Sequence, residues 1–152
     1  MLVQVCVAFG SNLGDSQSTV HQAIKDVGAL ASTQLRKASS LYVSAPYQAT
    51  GGQFVNAVAI YNTQLPALAL LEALQDLERI AGRVRLYPNA PRTLDLDIIF
   101  YGDVVMDTLR LTLPHPRWQE RAFVLKPLAE ICPELVGQPS LEKVSNQEIY
   151  RL

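Results

Sequence analysis

The order of elements along this chain is consistent with an α+β domain, and three observations carry that reading. Apolar runs with strand-like alternation lie at Leu2–Phe9, within residues 36–45, within residues 54–63 and at Leu94–Phe100. Apolar residues at helical spacing fall between them, at Val20, Ala23, Ile24, Val27 and Leu30, and again at Leu70, Leu71, Leu74, Leu77 and Ala81. Turn-forming clusters separate these runs, and no repeat, low-complexity tract or linker divides the chain. A single domain over residues 1–152 is expected, long enough to bury a sizeable core, with 49% hydrophobic and 18% charged residues.

Each element has a local reason. The first strand places Val3, Val5, Val7 and Phe9 on one face and Gln4, Cys6 and Ala8 on the other. It ends at the turn 10–15, where Asp15 or Ser16 can cap the following helix. That turn has glycines but lacks the lysine of a phosphate-binding loop and the full dinucleotide fingerprint, so a connecting turn is expected. Strands within 36–45 and 54–63 flank a loop running from Ala45-Pro46-Tyr47 to Gly51-Gly52. The second helix starts at Pro66 and stops at Gly82, with Gln75 and Glu78 three apart on one face. Tyr101-Gly102-Asp103 then predicts a hairpin returning the fourth strand into Val104-Val105-Met106. His115 stands between two prolines in a stiff, extended segment. A helix from Trp118 to Ile131, broken at Pro127, and a short last helix from Ser140 complete the reading.

A net charge of −1 and a pI of about 6.1 give no reason to expect nucleic acid or an anionic membrane as a partner. Cys6 and Cys132 show no metal-binding or redox spacing and read as buried apolar residues in a reducing compartment. No signal peptide or spanning helix is read, so a cytoplasmic location is expected.

Pro91-Arg92-Thr93-Leu94-Asp95-Leu96-Asp97-Ile98-Ile99-Phe100 is the stretch that bears on chemistry. On a strand, Asp95 and Asp97 point to one face and Leu94 and Leu96 to the other. Two residues of rise separate the carboxylate roots by roughly 6.6 Å, within reach of one divalent cation or of a close pair. Two like charges side by side on an apolar strand call for a counter-charge, which magnesium would supply. The plainer alternative is the solvent face of a half-exposed strand. Against it stands the arginine distribution: Arg79, Arg83, Arg85, Arg92, Arg110, Arg117 and Arg121 are seven of the nine, and none of the four lysines falls among them. Guanidinium forks suit phosphate, so phosphate together with a metal is the expectation.

These residues, taken in order, resemble the 6-hydroxymethyl-7,8-dihydropterin pyrophosphokinases of folate synthesis along nearly the whole chain. The resemblance rests on Gly10-Ser11-Asn12-Leu13, Phe54-Val55-Asn56, Gly82-Arg83-Val84-Arg85, Pro91-Arg92-Thr93-Leu94-Asp95-Leu96-Asp97, and Pro114-His115 with Arg121 and Phe123. It implies a ferredoxin-like antiparallel sheet with helices on both sides, a three-layer α/β/α arrangement. It also implies transfer of pyrophosphate from ATP to the pterin hydroxymethyl group, with release of AMP. Asp95 and Asp97 would hold two Mg2+ ions, and with Arg92 and His115 would form the catalytic set. Gln75, Glu78, Arg83, Arg85, Arg92, Ile98, Arg110, Thr112, His115 and Arg121 would bind ATP. Ser44, Ala45, Tyr47, Phe54, Asn56 and Phe123 would bind the pterin. A monomer acting on small-molecule substrates, ATP and the pterin, is expected, and the chain leaves no room for the folate enzymes sometimes fused to this one. In one place the pattern differs: where the family commonly has Arg-Trp-Gly before Pro-Arg-Thr, this chain has Pro88-Asn89-Ala90, and its one tryptophan is Trp118. Either Tyr87 or Tyr47 then replaces that aromatic lid residue, or the lid closes more loosely. Two other readings of the Asp pair are a two-metal phosphohydrolase and a non-catalytic ligand-binding module.

Overall fold

A computed structural model describes residues 1–12, 15–44, 53–82 and 94–152. In chain order the elements are β1 (Val3–Ser11), α1 (Ser16–Gly28), β2 (Thr33–Ala38), β3 (Tyr42–Ser44), β4 (Phe54–Thr63), α2 (Ala67–Ile80), β5 (Asp95–Tyr101), β6 (Met106–Asp107), β7 (Thr112–Leu113), α3 (Ala122–Ile131), α4 (Gln138–Lys143) and β8 (Ile149–Arg151), with short 3-10 turns at Trp118–Glu120 and Pro133–Leu135. The main sheet runs β5-β1-β4-β3-β8, with β2 also paired to β4, and every pairing is antiparallel.

Alternation on the central strands divides the interior in two. Val5, Val7 and Phe9 of β1 and Ala57, Ala59 and Tyr61 of β4 pack against Val20, Val27, Leu70 and Leu74 of α1 and α2. From the opposite face Cys6, Ala8, Val58 and Ile60 meet Val124, Leu125 and Leu128 of α3. Helices therefore cover both faces of an antiparallel sheet, the α+β, three-layer arrangement expected. Both cysteines are free and buried in the α3-side core, and burial pushes the Cys6 thiol well above its usual range. No helix among the described residues is long and apolar enough to cross a membrane.

The ends of the helices follow local chemistry. Asp15 caps α1, its carboxylate accepting from the Ser18 N–H at 3.3 Å and from the Ser18 hydroxyl at 3.0 Å. Past the end of α2, Gly82 takes φ +86°, a left-handed conformation that favours glycine as a helix stop.

Four expectations are corrected. The strand within 36–45 is two strands, β2 and β3, lying one after the other along β4. Between them the Ser39 hydroxyl accepts from the Val58 N–H at 3.0 Å, so a side chain takes over one bond of the ladder. The turn at Gly102 does not fold β5 into a hairpin; its N–H donates to the Gln4 carbonyl at 2.7 Å, and β6 pairs instead with β7. A strand already bonded to β1 is held there by turn closure on that neighbour. Pro127 does not break α3, which continues through it to Ile131. Burial of Val124, Leu125 and Leu128 outweighs the roughly 3 kcal/mol that an interior proline costs a helix. Finally, the tail adds β8 to the edge of β3, a strand its short exposed run does not advertise.

The joint between β3, α3 and β8 centres on Glu130. Its carboxylate accepts from the Tyr42 hydroxyl at 2.8 Å, from the Ser40 N–H at 3.0 Å and from the Ser40 hydroxyl at 3.0 Å. Arg151 of β8 lies 3.8 Å away. Burial opposes the charge on Glu130, but these donors and the Arg151 guanidinium outweigh it and hold the carboxyl below its usual range. The Tyr42 hydroxyl is correspondingly pushed up to about 12, by burial first and then by its bond to Glu130.

Candidate active site

At one end of the sheet the strand register assembles a row of side chains on the face that carries α3. Asn56 of β4 pairs with Gly10 of β1, and Gly10 pairs with Asp95 of β5. One step along, Val58, Ala8 and Asp97 form the next row. Asp95 and Asp97 thus share the α3 face and are half-buried, while Leu96 and Ile98 between and beyond them enter the opposite core. Gly10 leaves a gap between the amide and the carboxylate. A Cβ there would lie 3.6 Å from Asn56 Oδ1 and 3.6 Å from Phe54 Cδ1, so these two groups border the gap.

Asn56 is fixed by Ser44: its Nδ2 donates to Ser44 Oγ at 2.7 Å, and both residues are buried. That bond uses the amide nitrogen and leaves Oδ1 on the Gly10 side. Phe54 and Phe123 are half-buried, and the Arg121 guanidinium lies over the Phe123 ring, 5.4 Å from its centroid.

His115 is anchored at both ends of its residue. Its N–H donates to the Ile99 carbonyl at 2.7 Å, and its Nδ1 accepts from the Arg117 N–H at 3.1 Å. An accepting Nδ1 assigns the neutral ring's proton to Nε2. Burial lowers the imidazole pKa first, and the Arg121 and Arg117 charges lower it further, against an opposing pull from Asp95. The ring therefore sits where cations and a carboxylate all act on it, neutral and donating at neutral pH.

Other expected residues are placed differently from one another. Arg110 is exposed and ion-paired with Glu72 at 3.1 Å. Gln75 is exposed, whereas Glu78, three residues on, is buried and accepts from the Leu96 N–H at 2.9 Å. Thr112 is half-buried on β7, its hydroxyl 3.5 Å from Asp107. The Ile98 side chain is in the core, so this residue can offer a ligand only its backbone. Ala45, Tyr47, Arg83, Arg85 and Arg92, and the lid candidates Tyr87, Pro88, Asn89 and Ala90, lie outside the described residues.

Along the chain Gly10 stands only within the Gly10-Ser11-Asn12-Leu13 motif and Arg117 only within the arginine cluster, neither with a role of its own. A lone glycine after a strand reads as a turn, and only the register across three strands reveals its place between Asn56 and Asp95. Arg117 stands out only once the bend at His115 brings its charge to the imidazole.

Among the described residues no group of three or more His, Cys, Asp or Glu gathers to hold a metal. Two hard carboxylate oxygens on one face, with cationic groups beside them, fit an ion that takes its remaining ligands from phosphate and water, as Mg2+ does. They do not fit a closed structural metal site.

Comparisons with known proteins place the chain in a family. The family model described as 7,8-dihydro-6-hydroxymethylpterin-pyrophosphokinase matches residues 6–133. A relative from Pseudomonas aeruginosa, named 2-amino-4-hydroxy-6-hydroxymethyldihydropteridine pyrophosphokinase, is 45% identical over 136 residues, covering 89% of this chain and 84% of the relative. One of the same name from Haemophilus influenzae is 42% identical over 139 residues, covering 89% and 85%. A folic acid synthesis protein of Schizosaccharomyces pombe is 34% identical over 151 residues, covering 94% of this chain and 21% of that protein. Among solved structures, an HPPK-DHPS in complex with substrates superposes with a TM-score of 0.68 at 13% identity, covering 94% of this chain and 42% of that one. At that identity the likeness speaks for the fold alone. With a family match over most of its length and relatives above 40% identity, the chain belongs to the 7,8-dihydro-6-hydroxymethylpterin-pyrophosphokinase family.

Proposed function

We propose that this protein transfers the terminal pyrophosphate of ATP to the hydroxymethyl group of 6-hydroxymethyl-7,8-dihydropterin, giving AMP and the pterin diphosphate in folate biosynthesis. The observation that carries the reading is the Asn56–Gly10–Asp95 row, in a chain of this family. It sets a hydrogen-bonding amide, a bare stretch of strand and a pair of carboxylates side by side, the order in which a pterin ring, its hydroxymethyl arm and a metal-bound phosphate would lie.

In this reading Asn56 Oδ1 accepts from the donor edge of the pterin, with Ser44 fixing the amide so that little order has to be imposed on binding. Gly10 gives the flat ring room, and Phe54 and Phe123 supply aromatic contact. By the family resemblance Ala45 and Tyr47 would complete the pocket. Asp95 and Asp97 would hold two Mg2+ ions, which offset phosphate charge and favour ionisation of the attacking hydroxyl. His115 donates from Nε2 to a phosphate oxygen, and Arg83, Arg85, Arg92 and Arg121 balance the triphosphate charge, with Gln75, Arg110, Thr112 and the Ile98 backbone on the nucleotide side. The hydroxymethyl oxygen bonds to the β-phosphorus as the bond from that phosphorus to the bridging oxygen breaks. AMP departs with the electron pair and the hydroxyl proton is released. Such a transfer depends on positioning and charge neutralisation, which these residues provide, rather than on a protein nucleophile.

The test is chromatography of ATP and Mg2+ incubated with the protein, with and without the pterin. AMP and a diphosphorylated pterin that form only when the pterin is present are expected. ADP or phosphate forming without pterin would instead identify a phosphohydrolase, and no turnover in either tube would refute the enzymatic reading.

A further inference from the structure

We infer that Glu78 is a positioning residue that locks the strand between Asp95 and Asp97, so that both carboxylates are spaced for metal before any nucleotide arrives. The inference rests on the proposed metal-binding role of those aspartates and goes beyond it, because Glu78 acts through the backbone rather than on a ligand.

Glu78 is only 5% exposed, on the face of α2 turned toward the sheet. Burying a carboxylate is costly unless its charge is used, and leucine would pack this helix position at no such cost. Its Oε2 accepts from the N–H of Leu96 at 2.9 Å. Leu96 is the residue between the two aspartates, and β5 is the outermost strand on its side of the main sheet. In an antiparallel pair, backbone groups face the neighbour at alternate residues. With the Leu96 N–H turned off the sheet to α2, the backbone groups of Asp95 and Asp97 face Gly10 and Ala8 of β1. β5 is thus bonded on one side through the residues bearing the carboxylates and on the other through the residue between them. Further along β5 the His115 N–H donates to the Ile99 carbonyl, so Glu78 supplies the tie at the end that carries the carboxylates. Without it that end would be free to twist, and a one-residue slip in register would turn both carboxylates off the α3 face. A register irregularity only a few residues on, between Cys6 and Val7 opposite β5, makes such a tie the more necessary.

Binding of a non-hydrolysable ATP analogue, followed by calorimetry across a Mg2+ series, tests this in the full chain. Glu78→Leu is expected to raise the Mg2+ needed for half-maximal nucleotide binding by about 10–100-fold, the usual cost of losing a group that orients a metal ligand. Pterin affinity should stay at its parent value, because Asn56 and Gly10 lie on other strands. Glu78→Gln, which keeps an accepting oxygen, should restore the parent Mg2+ dependence. An unchanged Mg2+ requirement in Glu78→Leu would overturn the inference, as would a Glu78→Gln protein as impaired as Glu78→Leu. Amide exchange provides a readout that needs no variant. The Leu96 N–H of the parent protein should exchange slowly despite pointing off the sheet, and rapid exchange would overturn the inference even if Glu78→Leu fails to fold. Asp97→Ala, measured in parallel, separates the two ideas. If it leaves Mg2+-dependent binding intact, the metal reading falls and takes the inference with it. If it abolishes that binding while Glu78→Leu matches the parent, only the Glu78 inference falls.

Discussion

Glu130→Ala should destabilise the protein by about 2–4 kcal/mol, far more than the loss of a surface charge. The magnitude follows from what the carboxylate holds. The Tyr42 hydroxyl, the Ser40 N–H and the Ser40 hydroxyl all donate to it, and its side chain is only 23% exposed. Hydrogen bonds to a charged acceptor contribute about 1.5–3 kcal/mol each, but those of Ser40 can be partly replaced by water. Tyr42 is 7% exposed, so its stranded hydroxyl accounts for about 1–3 kcal/mol of the loss. The Arg151 pair at 3.8 Å, with a largely exposed guanidinium, adds less than about 1 kcal/mol. Tyr42→Phe removes one donor cleanly and should cost about 1 kcal/mol, and the double mutant should fall short of the sum by about 1–2 kcal/mol. Urea unfolding of the two single variants and the double variant measures all three quantities. The sign of the pH dependence is also fixed. A carboxyl whose folded pKa is depressed contributes stability above its ordinary value, and that contribution disappears as pH falls through the folded value. A Glu130→Ala loss below about 0.5 kcal/mol, or additive single mutants, would refute the clamp. Because β3 also carries Ser44, which holds Asn56, the same variant should raise KM for the pterin more than it lowers kcat.

Asp95→Ala or Asp97→Ala should lower turnover by about 100–1000-fold, the scale of losing one transition-state stabiliser. Either change should leave the urea midpoint nearly unmoved, since a neighbouring like charge is removed; parent-level turnover would refute the metal assignment. Gly10→Ala should fold normally, since a Cβ meets its neighbours at ordinary contact distance. The bulkier Gly10→Val should raise KM for the pterin at least about tenfold, a typical penalty for misfit in a shaped pocket, and unchanged steady-state kinetics would remove Gly10 from the site. NMR titration of the ligand-free protein should show His115 protonating below the ordinary value of about 6.5. Between those two values the unfolded chain binds the proton first, so this residue's contribution to stability falls as pH falls. Adding an ATP analogue should raise its pKa, because phosphate charge favours the imidazolium, and a shift in the opposite direction would place His115 away from the phosphates.

Much of this protein is legible along the chain because the relevant forces are local. The alternation in β1 and β5, the helical stripe of α2 with Pro66 ahead and Gly82 behind, and the placing of Asp95 and Asp97 on one strand face all follow from side-chain period and turn chemistry within a few residues. The order of motifs along the chain likewise marks the family. What the chain order could not decide depends on partners distant in sequence. Pro127 reads as a helix breaker until the core it packs into outweighs its local cost. The 101–106 hairpin reads well until Gly102 bonds back to Gln4 of β1 and Met106 pairs with Leu113 of β7. Gly10 reads as a turn until three strands register it between Asn56 and Asp95. Glu78 reads with Gln75 as a polar pair on the nucleotide side of a helix, and the Leu96 bond that buries it spans 18 residues. Glu130 reads the same way, while its partners Ser40 and Tyr42 lie 90 and 88 residues away. Sequence by itself determined most of the longer elements and the chemistry carried on each. Only the tertiary structure decided which of them meet, because a hydrogen bond or a cross-strand pair between distant residues leaves no period for a local pattern to show.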